Sequence, residues 1–127
     1  MHIVPLYATI LALIFVALSV RTLRMRRRLR IAVGDGGDTA LLRAMRVHAN
    51  FAEYVPLSLL LLAFVEAGGA NPTLVHALGT SIVAGRLLHA FGVSQVQERY
   101  GFRVLGMVLT LGPIGIAAIR LLAVWVA

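Results

Sequence analysis

The sequence contains no cysteine and no lysine, and charged residues of both signs are scarce. The absence of cysteine excludes disulfides, thiolate metal sites and cysteine nucleophiles, so any thiol used in chemistry must come from a ligand. Charged residues make up 13% of the 127 residues, whereas hydrophobic residues make up 60%. Because an average soluble domain is far less apolar than this, the composition predicts a protein whose main solvent is a membrane.

Four long apolar segments follow one another along the chain, and the first carries no charge from residue 3 to residue 20. That length is sufficient to cross a hydrocarbon core. Residues 34–37 are typical of a helix break, and Asp38 or Thr39 is suited to cap the next helix. Asn71 and Pro72 are suited to begin a further helix. We therefore predict an all-α, integral membrane four-helix bundle in a single domain, residues 1–127. Its helices are expected at about residues 3–30, 40–66, 72–96 and 102–125.

Arginine supplies all twelve basic residues, and six of the arginines fall within residues 21–30. A basic cluster that follows an apolar segment is typical of a cytoplasmic anchor, whereas a secretory signal carries its positive charge first. The turn after the second segment carries only Glu66, while the third connection is again basic. The positive-inside rule therefore predicts external, periplasmic termini and a cytoplasmic position for the arginine-rich helix ends.

Polar side chains recur at helical spacing in the second segment, at Arg46, Asn50, Glu53, Tyr54 and Ser58. This spacing predicts one polar face that starts at the cytoplasmic end of the helix. The third segment adds Arg86 and His89 one turn apart, and Arg103 lies at the start of the fourth. Because ionisable groups inside membrane segments are costly, the convergence of three helices on these residues predicts a polar site.

The residue types in this site favour a zwitterionic ligand with several carboxylates. Arginines bind carboxylates through two parallel hydrogen bonds, a glutamate accepts from an ammonium group, and asparagine and tyrosine add neutral hydrogen bonds. A second interpretation stays open, in which Arg46, Glu53 and Arg86 neutralise one another and lock the bundle. The four histidines are not at metal-ligand spacing on one helix, so we expect no metal. His48 is predicted to point away from the polar face.

The second segment resembles the signature of the MAPEG family, the membrane-associated proteins in eicosanoid and glutathione metabolism. The residues that carry this likeness are Arg46-x-His48-x-Asn50-x-x-Glu53-Tyr54-x-Pro56. The likeness extends over the whole chain, because Gly85-Arg86-x-x-His89 and the position of Arg103 ten residues before Pro113 also fit. The loop at residues 34–37 is similar to that of the bacterial, microsomal glutathione transferase-like branch.

The resemblance implies a homotrimer in a bacterial inner membrane, with glutathione as co-substrate between neighbouring subunits and a hydrophobic electrophile or lipid entering from the bilayer. It implies a glutathione transferase or peroxidase that serves in detoxification. The glutathione-binding residues that it implies are Arg46, Asn50, Glu53, Tyr54, Arg86 and His89, and Arg103 is the implied catalytic residue beside the thiolate. Val93 departs from the pattern, because several family enzymes have a tyrosine there. The alternative, for which the family has a precedent, is a non-enzymatic protein that binds a lipid or glutathione. A third interpretation is a purely structural bundle.

Overall fold

The structure, a computed structural model, describes residues 3–126, and these form four helices with no strand. The helices are α1 (Val4–Leu29), α2 (Thr39–Ala67), α3 (Pro72–Ser94) and α4 (Tyr100–Val126). All four are long and apolar enough to cross a membrane. The predicted all-α architecture with four spanning segments is therefore confirmed, with helix limits within two residues of those expected.

The helix ends follow from the capping residues. The Asp38 carboxylate accepts a hydrogen bond from the Leu41 N–H at 2.7 Å, and the Asn71 side chain accepts from the Thr73 N–H at 2.8 Å. Asp38 rather than Thr39 is therefore the cap of α2. The Arg99 carbonyl accepts from the N–H groups of Phe102 and Arg103. These hydrogen bonds form the first turn of α4 and explain why the helix begins at Tyr100, two residues before the start that the sequence predicted.

The chain runs up and down four times, with α2 and α3 in contact and α1 and α4 on opposite sides of them. The tightest packing lies between α3 and α4, where Gly85 and Gly106 bring the two backbones together. A Cβ on Gly106 would lie 2.6 Å from the His89 backbone nitrogen and 2.7 Å from the Gly85 carbonyl oxygen. Small residues at both positions therefore set the distance between these helices, as is common in membrane bundles.

One end of the bundle is held by polar contacts to α1. The Glu66 carboxylate accepts from the N–H groups of Ile3 and Val4, which satisfies donors that the start of a helix leaves free. The Tyr7 hydroxyl lies 2.9 Å from His76 Nδ1 and 3.0 Å from the Thr80 hydroxyl. These contacts fix α1 against α2 and α3 at the end of the bundle opposite the basic run, residues 21–30.

The other end gathers the C-termini of α1 and α3 and the N-termini of α2 and α4. Arg26 donates to the carbonyls of Ala32 and Gly34, at 3.2 and 2.9 Å, and so closes the loop after α1. Arg21 donates to the Ser94 hydroxyl at 2.6 Å and ties α1 to the end of α3. Two arginines of the basic run therefore have structural partners within the chain.

The α3–α4 contact predicts that Gly106→Ala destabilises the bundle. The added methyl group would meet two backbone groups at less than 3 Å, and such overpacking costs about 1 to 3 kcal/mol. Gly112→Ala is the matched control in the same helix, because nothing lies within 4 Å of a Cβ there. Unfolding by SDS titration in detergent micelles should show a loss for Gly106→Ala and none for Gly112→Ala. Equal stabilities would show that this contact does not limit the packing.

Candidate functional site

Arg86 is buried in the middle of the bundle, with only 1% of its surface exposed. One of its terminal nitrogens donates to the Asn50 side-chain oxygen at 2.8 Å and lies 3.3 Å from the Asn50 carbonyl oxygen. The other lies 3.8 Å from the Met107 sulfur. The guanidinium therefore joins α3 to α2 through Asn50 and approaches α4 at Met107.

The remaining contacts of Arg86 are weak for a buried charge. Its guanidinium carbon lies 5.7 Å from the centre of the Tyr54 ring, within cation–π range. Its Nε has no hydrogen-bond partner, and no carboxylate among residues 3–126 forms an ion pair with it. A buried cation without a counter-ion raises the local potential and favours an anion nearby.

An open cleft of about 260 Å³ lies in front of Asn50 at the arginine-rich end of the bundle. Residues from α2, α3, α4 and the α3–α4 connection form its walls: Thr39, Leu42, Arg43, Arg46, Asn50, His89, Val93, Glu98 and Arg103. The structure thus gathers four of the seven residues predicted from the sequence around one cleft, namely Arg46, Asn50, His89 and Arg103. Arg86 lies directly behind Asn50.

The other predicted residues lie outside the walls of the cleft. Glu53 is exposed on α2, and Tyr54 is half-buried beside Arg86. Ser58, assigned to the same polar face, is buried and donates to the Tyr54 carbonyl at 2.8 Å. The polar face is therefore broader than a single stripe, because helical geometry rotates Tyr54 and Ser58 well away from Arg46.

The structure bears directly on the interpretation in which Arg46, Glu53 and Arg86 neutralise one another. Within residues 3–126 none of these three pairs with another, since the ion pairs there are formed by Glu98. Arg46 and Glu53 are both exposed in the isolated chain. Self-neutralisation within one subunit is therefore wrong, and both charges are available to a ligand or to a second copy of the chain.

Sequence reasoning missed two residues of the cleft, Arg43 and Glu98. The Glu98 carboxylate lies 2.7 Å from an Arg103 terminal nitrogen and 3.5 Å from one of Arg43. The same Arg43 nitrogen donates to the Val93 carbonyl at the end of α3, at 3.2 Å. The sequence contained a signal for each of them. Arg43 precedes Arg46 by one helical turn, and Glu98 is the acidic residue of the connection between α3 and α4.

Glu98 is ionised at neutral pH. Its hydrogen bond from Arg103 lowers the pKa of the Glu98 carboxyl below the usual value, and the charges of Arg103 and Arg43 act in the same direction. A carboxyl with a lowered pKa stabilises its contacts at every pH above its ordinary range and loses them as the pH falls through the lowered value. The Glu98 carboxylate therefore carries its negative charge throughout the neutral range.

His48 packs against α1. His48 Nε2 lies 2.9 Å from the Ser19 hydroxyl, and the His48 ring stacks on Phe15 with centres 4.8 Å apart. His48 therefore faces α1 and does not line the cleft, in agreement with its predicted direction away from the polar face. In the described part of the chain, no three histidine or acidic side chains come together as metal ligands, and His2 lies outside those residues.

Comparison with known proteins gives matches over most of the chain. The model of the MAPEG family matches residues 4–123, which include all four helices up to the last turn of α4. The chain belongs to the MAPEG family. It is also 41% identical, over 87 residues, to proteins named inner membrane protein YecN from Escherichia coli strains K12 and O6:H1. That match covers 68% of this chain and 66% of the length of each relative.

The contacts of Arg86 predict that Asn50→Leu destabilises this MAPEG protein. The substitution removes the closest acceptor of a buried guanidinium, and a buried donor left without its partner costs about 1 to 3 kcal/mol. Arg46→Leu is the control, because Arg46 is exposed one turn away and should change stability by less than about 0.5 kcal/mol. Unfolding in detergent measures both. A variant Asn50→Leu that is as stable as Arg46→Leu would contradict the importance of this hydrogen bond.

Proposed function

We propose that this protein is a membrane-bound glutathione transferase or peroxidase, which joins glutathione to, or uses it to reduce, hydrophobic electrophiles dissolved in the bilayer. The working form would be a homotrimer in a bacterial inner membrane with periplasmic termini and cytoplasmic clefts. The family includes glutathione transferases, and the name of the relatives indicates the inner membrane. The observation that carries the proposal is the charge of the cleft.

Cations outnumber anions around the cleft. Arg43, Arg46 and Arg103 line it and Arg86 lies behind it, whereas Glu98 is the acidic residue in its walls. Glutathione carries two carboxylates, one ammonium group and a thiol, so it is a net anion at neutral pH. Arginine forks suit the two carboxylates, because each guanidinium can form two parallel, charge-assisted hydrogen bonds with a carboxylate.

Residues of α2 and α3 are assigned to binding. Arg46 and Arg86 would provide charge for the ligand carboxylates, and Asn50 and Tyr54 would add hydrogen bonds. Glu53 would accept from the ammonium group, and His89 from the cleft wall would contact the peptide. Among these side chains, Arg86 is already fixed by its hydrogen bond to Asn50. Arg86 would therefore lose little conformational entropy when the ligand binds.

Arg103 is assigned to the sulfur. A free thiol has a pKa near ~8.5 and is mostly protonated at neutral pH, and a neighbouring cation lowers that pKa. The thiolate would attack an electrophilic carbon, forming the carbon–sulfur bond as the leaving group departs with its electron pair. The Arg103 side chain is 49% exposed in the single chain, which supports access to a ligand.

Two exposed charges support assembly into an oligomer with shared sites. Arg46 and Glu53 lie on α2 without an ion-pair partner in the described chain, although α2 is a membrane-spanning helix. Charges in such a helix are costly when they face lipid. A neighbouring subunit that covers this face of α2 would remove them from lipid and complete the cleft.

A specific observation favours a second candidate, a non-enzymatic protein that binds glutathione or a lipid. Arg103 is engaged by Glu98 at 2.7 Å, and a neutralised arginine has less effect on a thiol. The relatives are named only as inner membrane proteins. If the ion pair between Glu98 and Arg103 persisted in the complex, glutathione would bind without activation of its thiol.

The experiment that separates the two candidates is the replacement Arg103→Leu. Loss of one preorganised charge at the sulfur should raise the pKa of the bound thiol and lower the rate of conjugation to a model electrophile by about tenfold to a thousandfold. Glutathione affinity should change little, because the carboxylate contacts remain. Thiolate absorbance in the ultraviolet, followed against pH, and conjugation rates measure the two effects.

Arg99→Leu is the matched control, since Arg99 is an exposed arginine four residues before Arg103 and does not line the cleft. It should leave both the titration and the rate as they are in the unmodified protein. An unchanged titration and rate in Arg103→Leu would favour the binding protein over the enzyme. Loss of activity in Arg99→Leu instead would transfer the catalytic role to that residue.

A further inference from the structure

The α3–α4 connection, residues 95–99, contributes one charged side chain to the cleft, that of Glu98. Its two oxygens are divided between helices, one at 2.7 Å from Arg103 of α4 and the other at 3.5 Å from Arg43 of α2. A carboxylate of the chain itself therefore lies between two arginines of a cleft that would otherwise carry uncompensated positive charge. We refer to residues 95–99 as the strap.

The backbone holds the strap close to the end of α3. The Arg99 N–H donates to the Gly92 carbonyl at 3.3 Å, and a Cβ on Gly92 would lie 2.8 Å from the Arg103 nitrogen. Only a glycine at this position allows so close an approach without a shift of the backbone. The side chains of the strap, including that of Glu98, are exposed or half-exposed. Beyond the Glu98 ion pairs and the hydrogen bond from the Arg99 N–H to Gly92, few contacts therefore oppose a movement of the strap.

We propose that Glu98 is a resident counter-ion, which pairs with Arg43 and Arg103 and is displaced, with the strap, by the entering anionic ligand, whose carboxylate takes the place of Glu98 at Arg43. The inference rests on the proposed function in one respect, because it takes the ligand to be an anion that enters this cleft. Glu98 is then a positioning residue. It acts on the chemistry only through Arg103.

The contacts of Glu98 are of the kind that a ligand can replace. Its side chain is 27% exposed and that of Arg103 49%, and ion pairs with this exposure contribute little net stability. A ligand carboxylate would recover the charge interaction with Arg43 while other groups of the ligand bind Arg46 and Asn50. Release of Glu98 would leave the Arg103 charge to the thiolate, so that the thiol is activated only when the ligand is in place.

The first test is the affinity of Glu98→Gln for S-methylglutathione, which has no free thiol, measured by isothermal titration calorimetry. Removing the competing carboxylate should tighten binding by about two- to fivefold, the range expected for a half-exposed ion pair. Glu98→Asp, which keeps the carboxylate, and Gln97→Ala, a neighbour in the strap, should bind as the unmodified protein does. Equal or weaker binding by Glu98→Gln would overturn the proposal.

The second test observes the strap itself. Because the chain has no cysteine, Gln97→Cys provides a single attachment point for a maleimide spin label. S-methylglutathione should increase the mobility of the label when Glu98 is present. Adding Glu98→Gln should increase the mobility without ligand and leave little further response. A label that responds to neither change would show that Glu98 does not hold the strap, and would overturn the proposal.

Failure of the proposed function has a different result. If S-methylglutathione binds neither the unmodified protein nor Glu98→Gln, glutathione is not the ligand, and citrate, a small tricarboxylate, serves as the probe for the strap. An increase in label mobility with citrate that Glu98→Gln abolishes would support the displacement of Glu98 by a carboxylate. An unchanged spectrum with citrate would overturn it.

Discussion

The hydrogen bond between Arg86 and Asn50 is the interaction on which the rest of the site depends. It places a permanent charge at the junction of α2 and α3, with Met107 of α4 beside it, and 1% exposure removes that charge from solvent. Because residues 3–126 supply no carboxylate to Arg86, its positive potential extends into the adjoining cleft. The glycines that bring α3 and α4 together hold the cleft wall against this buried arginine.

Charge in the cleft is balanced locally by one partly exposed carboxylate, that of Glu98, rather than by a buried network. Arg43 is held at the Val93 carbonyl, whereas Glu98 and Arg103 are both partly exposed. A fully paired set of buried charges would stabilise the bundle and leave nothing for a ligand. This arrangement instead combines a buried Arg86, held by the half-buried Asn50, with an ion pair that solvent weakens. Such a combination suits a binding site better than a structural lock.

The sequence predicted the helices well, because uncharged runs and capping residues such as Asp38 and Asn71 are local signals. It also placed Arg46 and Asn50 one turn apart on the same side of α2, since helical spacing fixes their relative positions. It did not predict the roles of Arg43 and Glu98. Helical periodicity does not predict the direction of a side chain in a connection, such as that of Glu98. Arg43 could be distinguished from an arginine that anchors the helix to lipid headgroups only by the residues that it contacts in the structure. The identity of the ligand as glutathione was inferred from the family resemblance alone.

The central claim is that the exposed charges of α2 bind a ligand and do not merely join subunits. Titration calorimetry with glutathione on the unmodified protein, Arg46→Ala and Glu53→Ala, with the oligomeric state measured in the same detergent, tests it directly. We expect the unmodified protein to bind and each variant to lose about 2 to 5 kcal/mol of binding free energy while the oligomer remains intact. Unchanged binding by both variants, accompanied by dissociation of the oligomer, would contradict the claim.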